Sequence, residues 1–224
     1  RAQARFIRGN VAGAEEDLAQ ARARWPDDLR VIEHALRIHR DTGGSDQARG
    51  WYRDLRGSGQ LNLQGVAASS PTNLLALAAA LLEIESWNEA EEILDIARQL
   101  FPEKADVHSL AGQLSYHKKD WKGAIDSFEK ALERAPQQVK LLVWLSRCQA
   151  EKKDLRSAVR SLTRAIELDP ENRDLFLKRS MRLFEMRNVR SALRDVEQVV
   201  LVSTVSEVDQ LRQALISGAQ VEWL

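Results

Sequence analysis

Residues 105–138, ADVHSLAGQLSYHKKDWKGAIDSFEKALERAPQQ, and residues 139–172, VKLLVWLSRCQAEKKDLRSAVRSLTRAIELDPEN, are two consecutive segments of equal length. Gly112, Ala124, Phe128, Ala131 and Pro136 of the first recur as Ser146, Ala158, Leu162, Ala165 and Pro170 of the second, each pair 34 residues apart. The residue types repeat along with the spacing. A small residue stands where two helices must approach closely. A bulky apolar residue and an alanine follow at helical spacing, and proline closes the segment. Units of this kind cannot bury their apolar faces alone and must stack on neighbours.

The frame extends in both directions. One period before Ala124 lies Ala90, followed by Leu94, Ala97 and Pro102. Leu74, Leu77, Ala78 and Leu81 supply the first helix of that unit, and Ser70-Pro71 is a cap followed by proline at the first helical position. In residues 173–206, Phe176, Ser180, Leu183, Ala192 and Val196 keep the pattern, while Val199 and Thr204 replace the last alanine and the proline. The pattern thus decays as expected of a terminal unit. Ser206-Glu207-Val208-Asp209 resembles a capping box, so residues 207–217 are expected to form a capping helix, with a short tail ending at Leu224.

Towards the start, Ala14, Leu18, Ala21 and Pro26 fit the second half of a truncated unit, 1–28, and Ile32, Leu36 and Ala48 fit a divergent one, 29–62. Arg1 falls inside a first helix, which predicts further repeats upstream in a longer protein. Ala48 and Ala90 are 42 residues apart, so eight extra residues, 63–70, are inserted within a Gly-rich stretch, 56–70. That stretch is either a tolerated insertion or a partner-binding or hinge element, and residues 57–69 are expected to be the most mobile internal segment.

A period of 34 with these residue types resembles the tetratricopeptide repeat (TPR) family. The resemblance implies an all-α, right-handed superhelical solenoid of helix–turn–helix repeats, one array over 1–224, with complete units at 71–104, 105–138, 139–172 and 173–206. It also implies a protein-binding role and leaves the partner open.

Composition limits the alternatives. The chain of 224 residues is 44% hydrophobic and 29% charged, with a formal net charge of zero, which argues against nucleic acid as the main partner. The charge is uneven: residues 71–104 hold seven acids and two bases, residues 173–206 seven bases and four acids. No apolar run reaches the roughly 18 residues of a membrane span. One cysteine, Cys148, precludes an intrachain disulfide and reads as a buried side chain. The bias towards arginine, 24 against nine lysines, is common in GC-rich bacterial genomes; the compartment, periplasm or cytoplasm, stays open.

Signals for chemistry are weak. His34, His39, His108 and His117 show no pair at metal-ligand helical spacing, and no His-Glu-x-x-His, Walker-type or dinucleotide-type glycine motif occurs. Neither an enzyme active site nor a cofactor is expected. Trp87 and Trp121, one period apart, read as packing residues, as do Trp25 and Trp51.

In TPR arrays the first helices line the concave surface, and positions two, five, nine and twelve of each unit face it. Here the resemblance places Arg30, Glu33, Arg37 and Arg40 on that surface, then Thr72, Leu75, Ala79 and Leu82, then Asp106, Ser109, Gln113 and Tyr116. Lys140, Val143, Arg147 and Ala150 follow, and Asp174, Leu177, Met181 and Phe184 close the series. The candidate binding residues are Arg37, Arg40, Leu75, Ser109, Gln113, Tyr116, Lys140, Val143, Arg147, Leu177 and Met181. The surface suits an acidic partner with apolar anchors; Leu75, Leu82 and Phe184 read equally well as packing between neighbouring first helices. The Lys and Asn that the co-chaperone subgroup uses at positions five and nine are missing. The leading expectation is a non-catalytic interaction scaffold, part of a larger TPR protein. The rivals are a periplasmic envelope or exopolysaccharide-export scaffold, a helical-repeat RNA binder, and self-association through open repeat ends. Glu91 and Glu92, on a second helix, are expected to tolerate charge reversal.

Overall fold

The computed structural model describes residues 2–25, 28–58, 61 and 70–200. The regular elements among them are all helical: α1 (Ala2–Ile7), α2 (Val11–Arg24), α3 (Leu29–Gly57), α4 (Pro71–Glu83), α5 (Trp87–Leu100), α6 (Ala105–His117), α7 (Trp121–Arg134), α8 (Val139–Glu151), α9 (Leu155–Leu168), α10 (Arg173–Glu185) and α11 (Val189–Val200). The fold is an all-α helical-repeat solenoid. Helices α4, α6, α8 and α10 are each 13 residues long and start one period apart. The capping helix expected at 207–217, the tail, and residues 59–60 and 62–69 of the Gly-rich stretch lie outside the described residues.

The chain divides into two compact units, residues 1–119 and 120–224. In the first, Leu29, Ile32 and Leu36 of α3 share a core with Leu74, Leu77 and Leu81 of α4 and with Ala90, Ile93 and Leu94 of α5. A smaller cluster joins Ala14 and Leu18 of α2 to Ala35 and Ile38 of α3. Helix α3 breaks at Gly44, whose φ of 80° is in the left-handed region, so the Gly43-Gly44 pair marks the turn between two helical halves. Trp51 is half-buried between the His39 ring, 5.1 Å away, and the Arg22 guanidinium, 4.9 Å away. Trp25 departs from expectation. It is 52% exposed, with the Arg24 guanidinium over its ring.

In the second unit the core is built from Ala124, Phe128 and Ala131 of α7, Leu141, Leu142 and Leu145 of α8, and Ala158, Leu162 and Ala165 of α9. Ala124 and Ala158 are fully buried, as the repeat requires. Ala158→Leu is therefore expected to overpack α9 and to cost about 1–3 kcal/mol in denaturant unfolding. Unfolding indistinguishable from wild type would mean that no close approach occurs there.

The turns after the first helices share one device. Glu85, Lys119, Lys153 and Arg187 have φ of 60°, 61°, 68° and 62°, again one period apart. After α8 the Lys153 amide donates to the Ala150 carbonyl at 2.8 Å and the Asp154 amide to the Gln149 carbonyl at 2.9 Å, which closes the helix as a Schellman turn. A left-handed residue with a Cβ costs about 1–2 kcal/mol, part of which glycine returns through its freer unfolded chain. Lys153→Gly is expected to raise the unfolding midpoint, by about 0.5–1 kcal/mol in stability. A lowered midpoint would show that the lysine side chain stabilises the turn by more than its backbone strains it.

Candidate functional site

Most of the candidate binding residues of the first unit have intramolecular roles. Glu33 is buried, and its carboxylate holds Arg37 at 2.8 Å from one turn ahead on α3. Arg40 pairs with Asp41 at 2.8 Å and with Glu83 of α4. Arg30 is engaged by Asp28 at 2.7 Å. The arginines that the resemblance placed on this surface, Arg30, Arg37 and Arg40, are therefore paired with neighbouring acids, because a buried carboxylate such as Glu33 needs cationic partners.

Leu75 is only 8% exposed and belongs to the core, with Leu82 buried beside it. Its edge still reaches the floor of a shallow cavity of about 330 Å³ between α4 and α6, which Thr72, Lys104, Asp106 and Ser109 also line. Gln113 and Tyr116 follow on α6, both half-buried, and the Tyr116 ring meets His117 edge-on at 5.7 Å. Two predicted groove rows, those of α4 and α6, thus do come together across one depression. A larger cavity, about 860 Å³, opens between α2 and the start of α3, lined by Leu18, Arg24, Trp25, Val31 and His34. Sequence reasoning missed it, because Trp25 read as a packing residue.

In the second unit α8 presents Lys140, Val143 and Arg147 one turn apart. Lys140 and Arg147 are exposed and Val143 half-buried. Lys140 has no ion pair among the described residues. The Arg147 guanidinium lies 4.8 Å over the ring of Trp144, whose ring in turn stacks on the buried Phe128 at 5.8 Å with an interplanar angle of 12°. This three-layer stack was not expected. A cation held over an indole has fewer free rotamers, so binding loses less side-chain entropy, and the fork of a guanidinium matches a carboxylate. Leu177 and Met181 on α10 are half-buried. Ala150, by contrast, is buried.

The same unit holds a charge pair inside its core. Arg179 of α10 donates to both carboxylate oxygens of buried Asp195 on α11, at 2.8 and 2.7 Å, and to the Thr163 hydroxyl on α9 at 3.1 Å. It ties three helices together.

Other titratable groups read as structural. Cys148 is fully buried and burial pushes its thiol up to about 12, so it is no nucleophile at neutral pH. His39 is held below the usual histidine range by burial. The His108 Nε2 lies 2.8 Å from the Pro102 carbonyl oxygen. Among the described residues no group of three or more His, Cys, Asp or Glu could hold a metal ion, and no helix is long and apolar enough to cross a membrane.

The acids of residues 71–104 are also engaged. Glu85, Glu89 and Glu92 face Arg49, Arg53 and Arg56 of α3 at 3.8, 3.8 and 2.7 Å. Glu91 pairs with Lys118 at 2.7 Å. Glu91 and Glu92 are therefore unsuitable as inert control positions, contrary to the expectation from sequence: their outward location does not leave them uninvolved.

Two family profiles, both described as tetratricopeptide repeat, match residues 75–139 and 116–177. No curated protein sequence matches the chain. Solved structures do. A tetratricopeptide repeat protein from Parabacteroides merdae is 19% identical with a TM-score of 0.68, over 97% of this chain and 83% of that one. Pseudomonas aeruginosa PilF is 19% identical with a TM-score of 0.62, over 95% and 93%. MamA from Desulfovibrio magneticus is 15% identical with a TM-score of 0.60, over 79% and 95%. At such identities the likeness is one of fold.

Proposed function

The chain is a tetratricopeptide repeat protein, and on that premise we propose that it is a non-catalytic scaffold holding a partner polypeptide against its first helices. The family supports protein or peptide partners in general. YrrB, a neighbour in fold, is a TPR protein with an unusual peptide-binding site. The observation that carries the finer reading is the Arg147 guanidinium laid on Trp144 beside Lys140 and Val143. A paired cationic and apolar face of this kind takes a partner with carboxylates next to apolar anchors. In the first unit, Tyr116 on α6 is by itself an anchor of the type enriched at interface cores.

The test is crosslinking capture with the full chain as bait, followed by affinity measurements on the recovered partner. Arg147→Glu is expected to weaken binding and to lower the association rate, most visibly at low salt, with helicity and melting unchanged. Tyr116→Ala is expected to cost about 1–2 kcal/mol of binding. Glu129, exposed on α7, provides the control and is expected to tolerate reversal to lysine. If both first-helix changes are silent and the α7 reversal abolishes binding, the partner uses the other side of the repeats.

A further inference from the structure

The second helices of the second unit carry a cationic grid. Arg156, Arg160 and Arg164 stand at i, i+4 and i+8 on α9, all exposed. One period later Arg190 and Arg194 repeat the first two positions on α11, also exposed. Along a helix such positions are about 6 Å apart. Arg179 of α10 bonds to Thr163 of α9 and to Asp195 of α11, so α10, which packs on both, links the two helices. On α7 the equivalent positions hold Lys122, Asp126 and Lys130, and exposed Glu167 and Glu197 lie one turn beyond Arg164 and Arg194, so the grid is edged by acids.

None of these five arginines makes an ion pair among the described residues. Arg164 donates to the Pro136 carbonyl at 2.9 Å. Asp154 senses the Arg160 charge without pairing with it, its carboxylate being held by Ser157. The contrast with the first unit is direct. There Arg49, Arg53 and Arg56, on one helix, face Glu85, Glu89 and Glu92 at the same intervals. There a ladder at i, i+4 and i+7 meets carboxylates at the same steps, Glu85 in the turn before α5 and Glu89 and Glu92 on α5 itself.

We infer that the outward face of α9 and α11 is a second binding surface, and that its occupant is an acidic helical segment of a partner protein with carboxylates at i, i+4 and i+8. Carboxylates so spaced meet the guanidinium rows in register and accept two hydrogen bonds each. A nucleic acid fits less well. No aromatic side chain is among the exposed residues of α9 or α11, so no base could stack there. A second copy of this chain fits less well too, since the acids of α5 that would serve it are engaged within the first unit.

The test uses the full chain and three labelled probes at low ionic strength: an alanine-based helical peptide with glutamates at i, i+4 and i+8, a peptide of the same composition with the glutamates dispersed around the helix, and a single-stranded oligonucleotide of equal charge. The aligned peptide is expected to bind most tightly. The Arg156→Glu/Arg160→Glu double variant is expected to weaken it by about tenfold or more, whereas Arg8→Glu, an exposed charge of the first unit, leaves it unchanged. Arg190→Gln/Arg194→Gln repeats the test without introducing acids. Equal binding of the two peptides, tighter binding of the oligonucleotide, no binding at all, or silence of both double variants would overturn the inference. Loss on Arg147→Glu alone would place the peptide on the first helices, which overturns this surface while supporting the scaffold reading.

Discussion

Asp195→Ala is expected to destabilise the protein by about 3–5 kcal/mol, measured by equilibrium denaturation. Asp195 is 4% exposed and receives two hydrogen bonds from Arg179. Once the carboxylate is removed, the guanidinium keeps, among the described residues, the Thr163 hydroxyl and the Phe176 ring it lies over, 5.7 Å from its centroid. A cation left largely buried without its counter-charge costs far more than the pair itself contributes. The preceding repeat shows how the site can be filled without charge, since Leu145 and Ser161 occupy the equivalent positions. The double variant Arg179→Leu/Asp195→Ser is therefore expected to recover most of the loss. A single-variant loss below about 1 kcal/mol would mean that water reaches the guanidinium and that the pair behaves as a surface bridge.

Phe128→Ala is expected to be as damaging, at about 3–5 kcal/mol, since a fully buried phenyl ring leaves a cavity that alanines at 124 and 131 cannot fill. Its consequence extends beyond stability. Phe128 backs Trp144, and Trp144 carries Arg147. Without the phenyl ring the indole gains freedom and the cation loses its fixed support, so partner affinity is expected to fall together with stability. Phe128→Leu, which keeps most of the volume but not the stack, separates the two effects. Near-normal stability with weakened binding is the expected outcome for that variant, and unchanged binding would show that the stack does not position Arg147.

The helix starts at Pro71, Ala105, Val139 and Arg173 were legible because each unit repeats the same small and bulky apolar positions, and those positions alone set the close approaches. The burial of Ala124 and Ala158 followed from the same pattern. The charged residues were not legible in this way. Arg179 and Asp195 look like solvated helix charges, and only the comparison with Leu145 and Ser161 one period earlier reveals that both sit at inward positions. Glu33 was read as a groove residue, whereas it is a buried anchor for Arg37. Trp144 had a signal that went unread: it is the one aromatic residue at the sixth position of its unit, three residues before Arg147, where His34, Ala76, Leu110 and Lys178 stand in the other units. The left-handed turns at Glu85, Lys119, Lys153 and Arg187 were hidden because none is glycine, the residue that ordinarily announces such a backbone.

Amide hydrogen exchange of the full chain, with and without the partner recovered by crosslinking, tests the scaffold reading most directly. Protection gained on α6, α8 and α10, centred on residues 109–116 and 140–147, is the predicted result. Protection confined to α5, α7, α9 and α11, with the first helices unchanged, would contradict it.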